Sequence, residues 1–241
     1  MHSPIHQFVV NKIFDLNLSS VDISITNSSM SVIVVIIGIC FGFALGLRNT
    51  SIVPSKAQAA IELLDDFIRD LVLKNIGEKG RNLVPFVMSI FMFVLCANIM
   101  GLIPTVFAST SSFVVNFALA IVVFISCLII GFVKHGFKFF SLFAPSGMPA
   151  VLLPLIVLIE LFTFLARPVV LALRLTANMV AGHILLEVLA GFAATMWLFA
   201  KVLPLGLVAI FTGFEIFVAV LQAYIFAILS CLYLSDAINL H

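Results

Sequence analysis

The chain has 241 residues, 63% of them hydrophobic and 10% charged, with a mean hydropathy of +1.29 and a formal net charge of +1. A water-soluble domain of this length needs far more polar surface, so the composition excludes one and points to an all-α polytopic membrane protein. The near-neutral balance supplies no basic field for a nucleic-acid partner.

Residues 1–29 are mixed and polar and read as an extramembrane leader. They lack a basic start followed by an apolar core and a small-residue cleavage site, so no cleaved signal peptide is expected. Residues 30–47 form the first span, where Gly38, Gly42 and Gly46 make a ridge that lets another helix approach closely. Residues 54–81 differ in kind. Ala57, Ala60, Ile61, Leu64, Ile68, Leu71 and Val72 recur at helical spacing, while Glu62, Asp65, Asp66, Arg69 and Asp70 lie largely on the other side. This predicts an amphipathic helix, too charged to span, laid on the membrane surface with its charges solvated. Docking against a partner subunit is a second use for such a face.

Residues 83–106 form a second span holding Asn98, and residues 113–133 a third holding Asn116. Both asparagines read as interhelical hydrogen bonds. The connection KHGFKFFSLFAPSG (134–147) is basic and aromatic and suits a membrane interface. The apolar runs 148–191 and 203–235 are too long for upright spans; the first would extend roughly 66 Å as one helix, against a hydrocarbon core of about 30 Å. Each run either folds back on itself or forms a steeply tilted helix, with Pro154 and Pro168 as kink sites. Lysine and arginine concentrate in 48–81 and 134–147, so these face the cytoplasmic side and the leader lies outside. Counting each long run once gives five transmembrane helices plus the surface helix.

No nucleotide-binding loop, zinc pattern or nucleophile elbow is present, and no cofactor or metal is expected. The four cysteines lie in apolar runs without metal-ligand spacing and read as packed thiols. The polar residues of the last two runs are the unusual feature: Glu160, Arg167, Arg174, His183, Glu187, Glu215 and Gln222. One charge at the bilayer centre costs on the order of 3 kcal/mol. A set of them points to an ion or proton pathway, against the reading that each only fixes helix packing.

Spacing sharpens this. Glu160, Arg167 and Arg174 recur at steps of seven and share one stripe, with Asn178 one turn further on. His183, nine residues past Arg174, falls on the far side of the helix. Glu215 and Gln222 share a stripe on the last helix. Arg174 stays charged and cannot relay a proton, but it can repel cations and attract a carboxylate from another helix. His183 can exchange protons near neutral pH, and a carboxylate such as Glu215 can orient it. Arg167 beside Pro168 reads as structural, by capping or pairing. Glu187, one turn after His183, is either its partner or a group at the outer boundary. These residues leave open a self-contained secondary transporter that binds an anionic solute through Arg174. Such a protein should show a two-fold internal repeat, and none is evident.

At ALRLTANMVAGH (172–183) the sequence resembles subunit a of the F-type ATP synthase. PIHQF, CANIMGLIP, LIELFTFLARP, GFEIFVAVLQAYIF and YLSDAINLH extend the resemblance in order over nearly the whole chain. It implies a non-catalytic, proton-channel stator subunit whose partners are the c-ring subunits, stator subunit b, other ATP synthase subunits and the bilayer. Arg174 then corresponds to the essential arginine facing the ring carboxylate. His183, Glu215, Asn178 and Gln222 match the outer half-channel, and Glu160 with Thr163 the inner one. The resemblance favours two long, strongly inclined helices over folded-back runs. The AGH motif and the closing DAINLH are similar to the alphaproteobacterial and mitochondrial branch. The implied location is a bacterial inner (plasma) membrane, with the mitochondrial inner membrane as the alternative.

Overall fold

Long apolar stretches, whose backbone polar groups must be satisfied without water, fold here as helices. The structure, a computed structural model, describes residues 12–14, 17–18, 21–22, 25–48, 54–103, 109–143, 152–196 and 202–239. Among these, six helices run in order: α1 (Asn27–Gly46), α2 (Lys56–Ile76), α3 (Val84–Gly101), α4 (Phe113–His135), α5 (Leu153–Thr195) and α6 (Val202–Ile238). Glu78–Leu83, Ser109–Ser111 and Gly136–Phe143 are 3₁₀ segments. Four strand pieces of two or three residues precede α1, with Lys12–Phe14 paired antiparallel to Ile25–Thr26 and Asn17–Leu18 to Val21–Asp22. All the helices except α2 are long and apolar enough to cross a membrane, α3 and α4 counted with their adjoining 3₁₀ turns. The fold is all-α and that of a multi-pass membrane protein.

Neither long run folds back. α5 is 43 residues and α6 37, or roughly 65 and 56 Å at about 1.5 Å per residue. Both exceed the hydrocarbon thickness, and inclination is how such a helix keeps its apolar turns out of water. Pro154 sits in the first turn of α5, where its missing N–H is not needed. Pro168 lies inside the helix and removes one backbone hydrogen bond without ending it. α5 starts at Leu153 and runs on to Thr195, so the run 148–191 is displaced toward the C-terminus. Residues 104–106, placed by the sequence in the second span, and PIHQF lie outside the described residues.

The amphipathic helix is shorter than 54–81. The Ser55 side chain accepts from the Gln58 N–H at its start. Gly77, with φ +83, ends it by donating its N–H to the Leu73 carbonyl. The exposed pairs Arg69–Asp65 (2.8 Å) and Lys74–Asp70 (3.0 Å) lie one turn apart along it, each adding a few tenths of a kcal/mol, about 0.3 to 0.5. From Ile68 to Ile76 its apolar stripe is buried against protein, whereas Leu63 and Phe67 are exposed. The sequence assigned that whole stripe to the membrane surface, but the second half is taken up by packing.

The chain forms two compact units: 1–45 with 92–115 and 174–224, and 46–91 with 116–173 and 225–241. The long helices contribute a segment to each. In the second unit the Phe67 and Phe91 rings meet at 6.0 Å, and Phe124, Phe164, Phe139 and Phe132 form a chain of tilted and edge contacts. Gly136, with φ +54, turns the chain after α4, and the buried Phe139 lies against Gly131. The end of α6 is tied down by polar contacts. Cys127 donates to the Tyr233 carbonyl (3.1 Å), the His135 ring meets the Ile238 carbonyl (3.1 Å), and Asn239 donates to the Ile76 carbonyl (3.2 Å). In the first unit Asn98 is fully buried and donates to the Ala219 carbonyl at 3.3 Å, an interhelical bond as its residue type predicts.

A Cβ at Gly131 would overlap the Phe139 ring, which has no free space to retreat into. Gly131→Ala is therefore expected to cost about 1–3 kcal/mol through overpacking. Thermal denaturation should show the loss, with recovery on adding Phe139→Leu.

Candidate functional site

The first unit holds Arg174, Asn178, His183 and Glu187 on α5 and Glu215 and Gln222 on α6. Helical periodicity separates them into two faces. Arg174, Ala177, Ala181 and Leu185 form an exposed stripe, while Leu175 and Met179 are buried. Arg174 thus stands on an outward face among small apolar residues. No described carboxylate lies within ion-pair distance of it.

His183 points the other way and is half-buried, with the Gly101 backbone as a hydrogen-bond partner and the Glu187 carboxylate one turn along within electrostatic reach. Asn178 and Glu215 line a cleft of about 200 Å³ whose other walls include Leu102, Phe211 and Phe214. Gly182 explains how Glu215 fits there. A Cβ at that position would overlap its Oε1 and stand 3.0 Å from its Cδ, so the carboxylate rests on the α5 backbone. Glu215 Oε2, Glu187 Oε2, Gln222 Nε2 and Asn98 Oδ1 are all buried, with no hydrogen-bond partner among the described residues. Such groups normally find a partner, often water. Of these four residues only Glu215 lines the cleft, and the others are spread over α3, α5 and α6 of the same unit.

The second unit holds Glu160, Thr163 and Arg167 on α5 and Asp236 on α6. Glu160 is half-buried and Thr163 exposed. Arg167 Nη1 pairs with Asp236 Oδ2 at 2.7 Å, while its Nη2 stands 4.0 Å from Glu160 Oε1. The guanidinium also lies over the Tyr233 and Phe164 rings, at 5.0 and 5.6 Å from their centroids. Arg167 therefore pairs across helices, one of the structural roles the sequence allowed. Asp236 was not singled out by sequence reasoning. It sits in YLSDAINLH near the chain end, and the lone available signal was an acidic residue directly after the apolar run 203–235.

Among the described residues no cluster of three or more histidine, cysteine or acidic side chains could hold a metal ion. The cysteines are unpaired, Cys127 and Cys231 buried and Cys40 exposed. The chemistry on offer is titratable groups and hydrogen-bonding amides inside apolar helices, plus one exposed permanent cation.

Two over-long apolar helices carrying such a series of polar groups place the chain among multi-pass membrane proteins. The family comparison makes the class specific: the model of the ATP synthase A chain matches residues 28–235, and the chain belongs to that family. It is a membrane-sector subunit of an F-type ATP synthase, and it works with other subunits of that complex.

Gly182→Ala tests the cleft. The Glu215 carboxylate is the mobile end of its side chain, so the helices should assemble normally while the carboxylate is displaced from its seat. ATP-driven proton pumping by the assembled complex is expected to fall on the order of tenfold, as misplacement of a reacting group commonly does.

Proposed function

We propose that this chain is the proton-conducting stator of the membrane sector, with two offset half-channels that load and unload carboxylates on a rotating ring of c subunits. Protons enter from the outer side through the polar interior of His183, Glu215, Asn178 and Gln222, and neutralise a ring carboxylate. After nearly a full rotation they leave near Glu160 and Thr163 to the inner side. Arg174 attracts the ionised ring carboxylate as it passes between the two routes and repels protons that would cross directly. ATP chemistry belongs to other subunits, and subunit b is a further stator partner. The membrane is an energy-coupling one, the inner membrane of a bacterium or of a mitochondrion.

One observation carries this reading. Arg174 is exposed in the midst of an apolar helix, with no carboxylate within ion-pair distance among the described residues. An unpaired cation in hydrocarbon is costly, about 3 kcal/mol by insertion scales. A counter-charge from another chain removes that cost, and a ring that presents carboxylates in turn supplies it repeatedly. The groups proposed for the outer route also suit their work. His183 and Glu215 can change charge, whereas Asn178 and Gln222 can only orient water.

Arg174→Ala is the decisive substitution. In the reconstituted complex it should abolish proton-coupled ATP synthesis, and synthesis at the unmodified rate would refute the assignment. The paired substitution His183→Ala with Glu215→Ala should slow ATP-driven acidification of vesicles at least about tenfold, each tenfold corresponding to roughly 1.4 kcal/mol on the transfer barrier.

A further inference from the structure

On α5 and α6 of the second unit the proposed path leaves two charged residues without a task, Arg167 and Asp236. Arg167 has a half-buried guanidinium with two carboxylates in reach, and it treats them unequally. Asp236 takes a charge-assisted hydrogen bond of 2.7 Å, whereas Glu160 remains at 4.0 Å, beyond hydrogen-bonding distance. The inequality has a structural origin. Tyr233 and Phe164 hold the guanidinium over their rings. Asp236 cannot follow Arg167 toward Glu160, because the final turns of α6 are tied to Cys127, His135 and the Ile76 carbonyl.

We propose that Asp236 is a positioning residue for proton release: by holding the Arg167 guanidinium it keeps this cation from closing on Glu160, whose carboxylate stays free to exchange protons. This rests on the reading of Glu160 as part of the inner half-channel. The physical reason is general. A carboxylate in close contact with a permanent cation is held in its ionised form, and a relay must pass through both forms. Arg167 offers five donors in a rigid fork, so a guanidinium released from Asp236 would turn toward the remaining described carboxylate, Glu160.

The test is the order of effects in the complete, reconstituted ATP synthase. Asp236→Asn should lower ATP-driven proton pumping about tenfold, equivalent to roughly 1.4 kcal/mol. Adding Arg167→Gln to Asp236→Asn removes the released cation and should restore most of the loss, while a Gln–Asn hydrogen bond still links the helices. If the double variant pumps no faster than Asp236→Asn alone, the pair is only a helix clamp and the inference is overturned. The amount of this subunit in the purified complex controls for assembly. Assembly of the double variant where Asp236→Asn fails would support the inference, because the free cation is then the lesion. Failure of both would overturn it. Glu160→Gln separates this inference from its premise. Unimpaired pumping there refutes the inner-channel assignment itself, whereas impaired pumping without rescue in the double variant refutes only the role of Asp236.

Discussion

Hydrocarbon offers no partner to a charge, and every polar side chain in this protein's apolar helices must find one within the protein or beyond it. The structure shows three different answers. Arg167 is met inside its own chain by Asp236 and two aromatic faces. Glu215 and Gln222 are buried where part of their hydrogen-bonding capacity is taken up by no described protein group. Arg174 faces outward with no carboxylate within ion-pair distance among the described residues. These are three different placements: a tie between helices, a polar interior and an outward-facing cation.

Small residues make the arrangement possible. Gly182 lets a carboxylate rest on a helix backbone, and Gly131 lets the chain after α4 fold back so that Phe139 is buried. Each omission of a Cβ brings together two groups that a larger residue would hold apart. By contrast a Cβ at Gly38 or Gly42 of the ridge on α1 would meet no described neighbour within 4 Å, while one at Gly46 would overlap the Ile61 side chain. The same motif therefore has different uses along one helix, and only the neighbours reveal which.

Much of the site was legible because its chemistry is rare in this solvent. Two arginines, a histidine and three glutamates stand out in apolar runs whatever their partners are. The nine-residue step from Arg174 to His183 also separated their faces, since α-helical periodicity is independent of tertiary context. The pairing of Arg167 with Asp236 was not legible. The two lie 69 residues apart in sequence, and no local rule links the middle of one helix to the end of another. The rest of Gly182's meaning was hidden likewise, since a glycine inside a helix reads as a packing residue until a carboxylate is found upon it.

By itself the sequence determined the all-α membrane class, the number of long apolar helices, the amphipathic character of α2 and which polar residues lie within the long apolar helices. These follow from composition and period, which are properties of each segment alone. The structure showed that α2 ends at Gly77, and tertiary contacts decided that it buries half of its apolar stripe, that Glu215 seats on Gly182, and that Arg167 prefers Asp236 to Glu160. The end of α2 follows locally from the positive φ of Gly77, while the other three depend on close approach between segments distant in sequence, where tenths of an ångström and the absence of one methyl group decide the outcome.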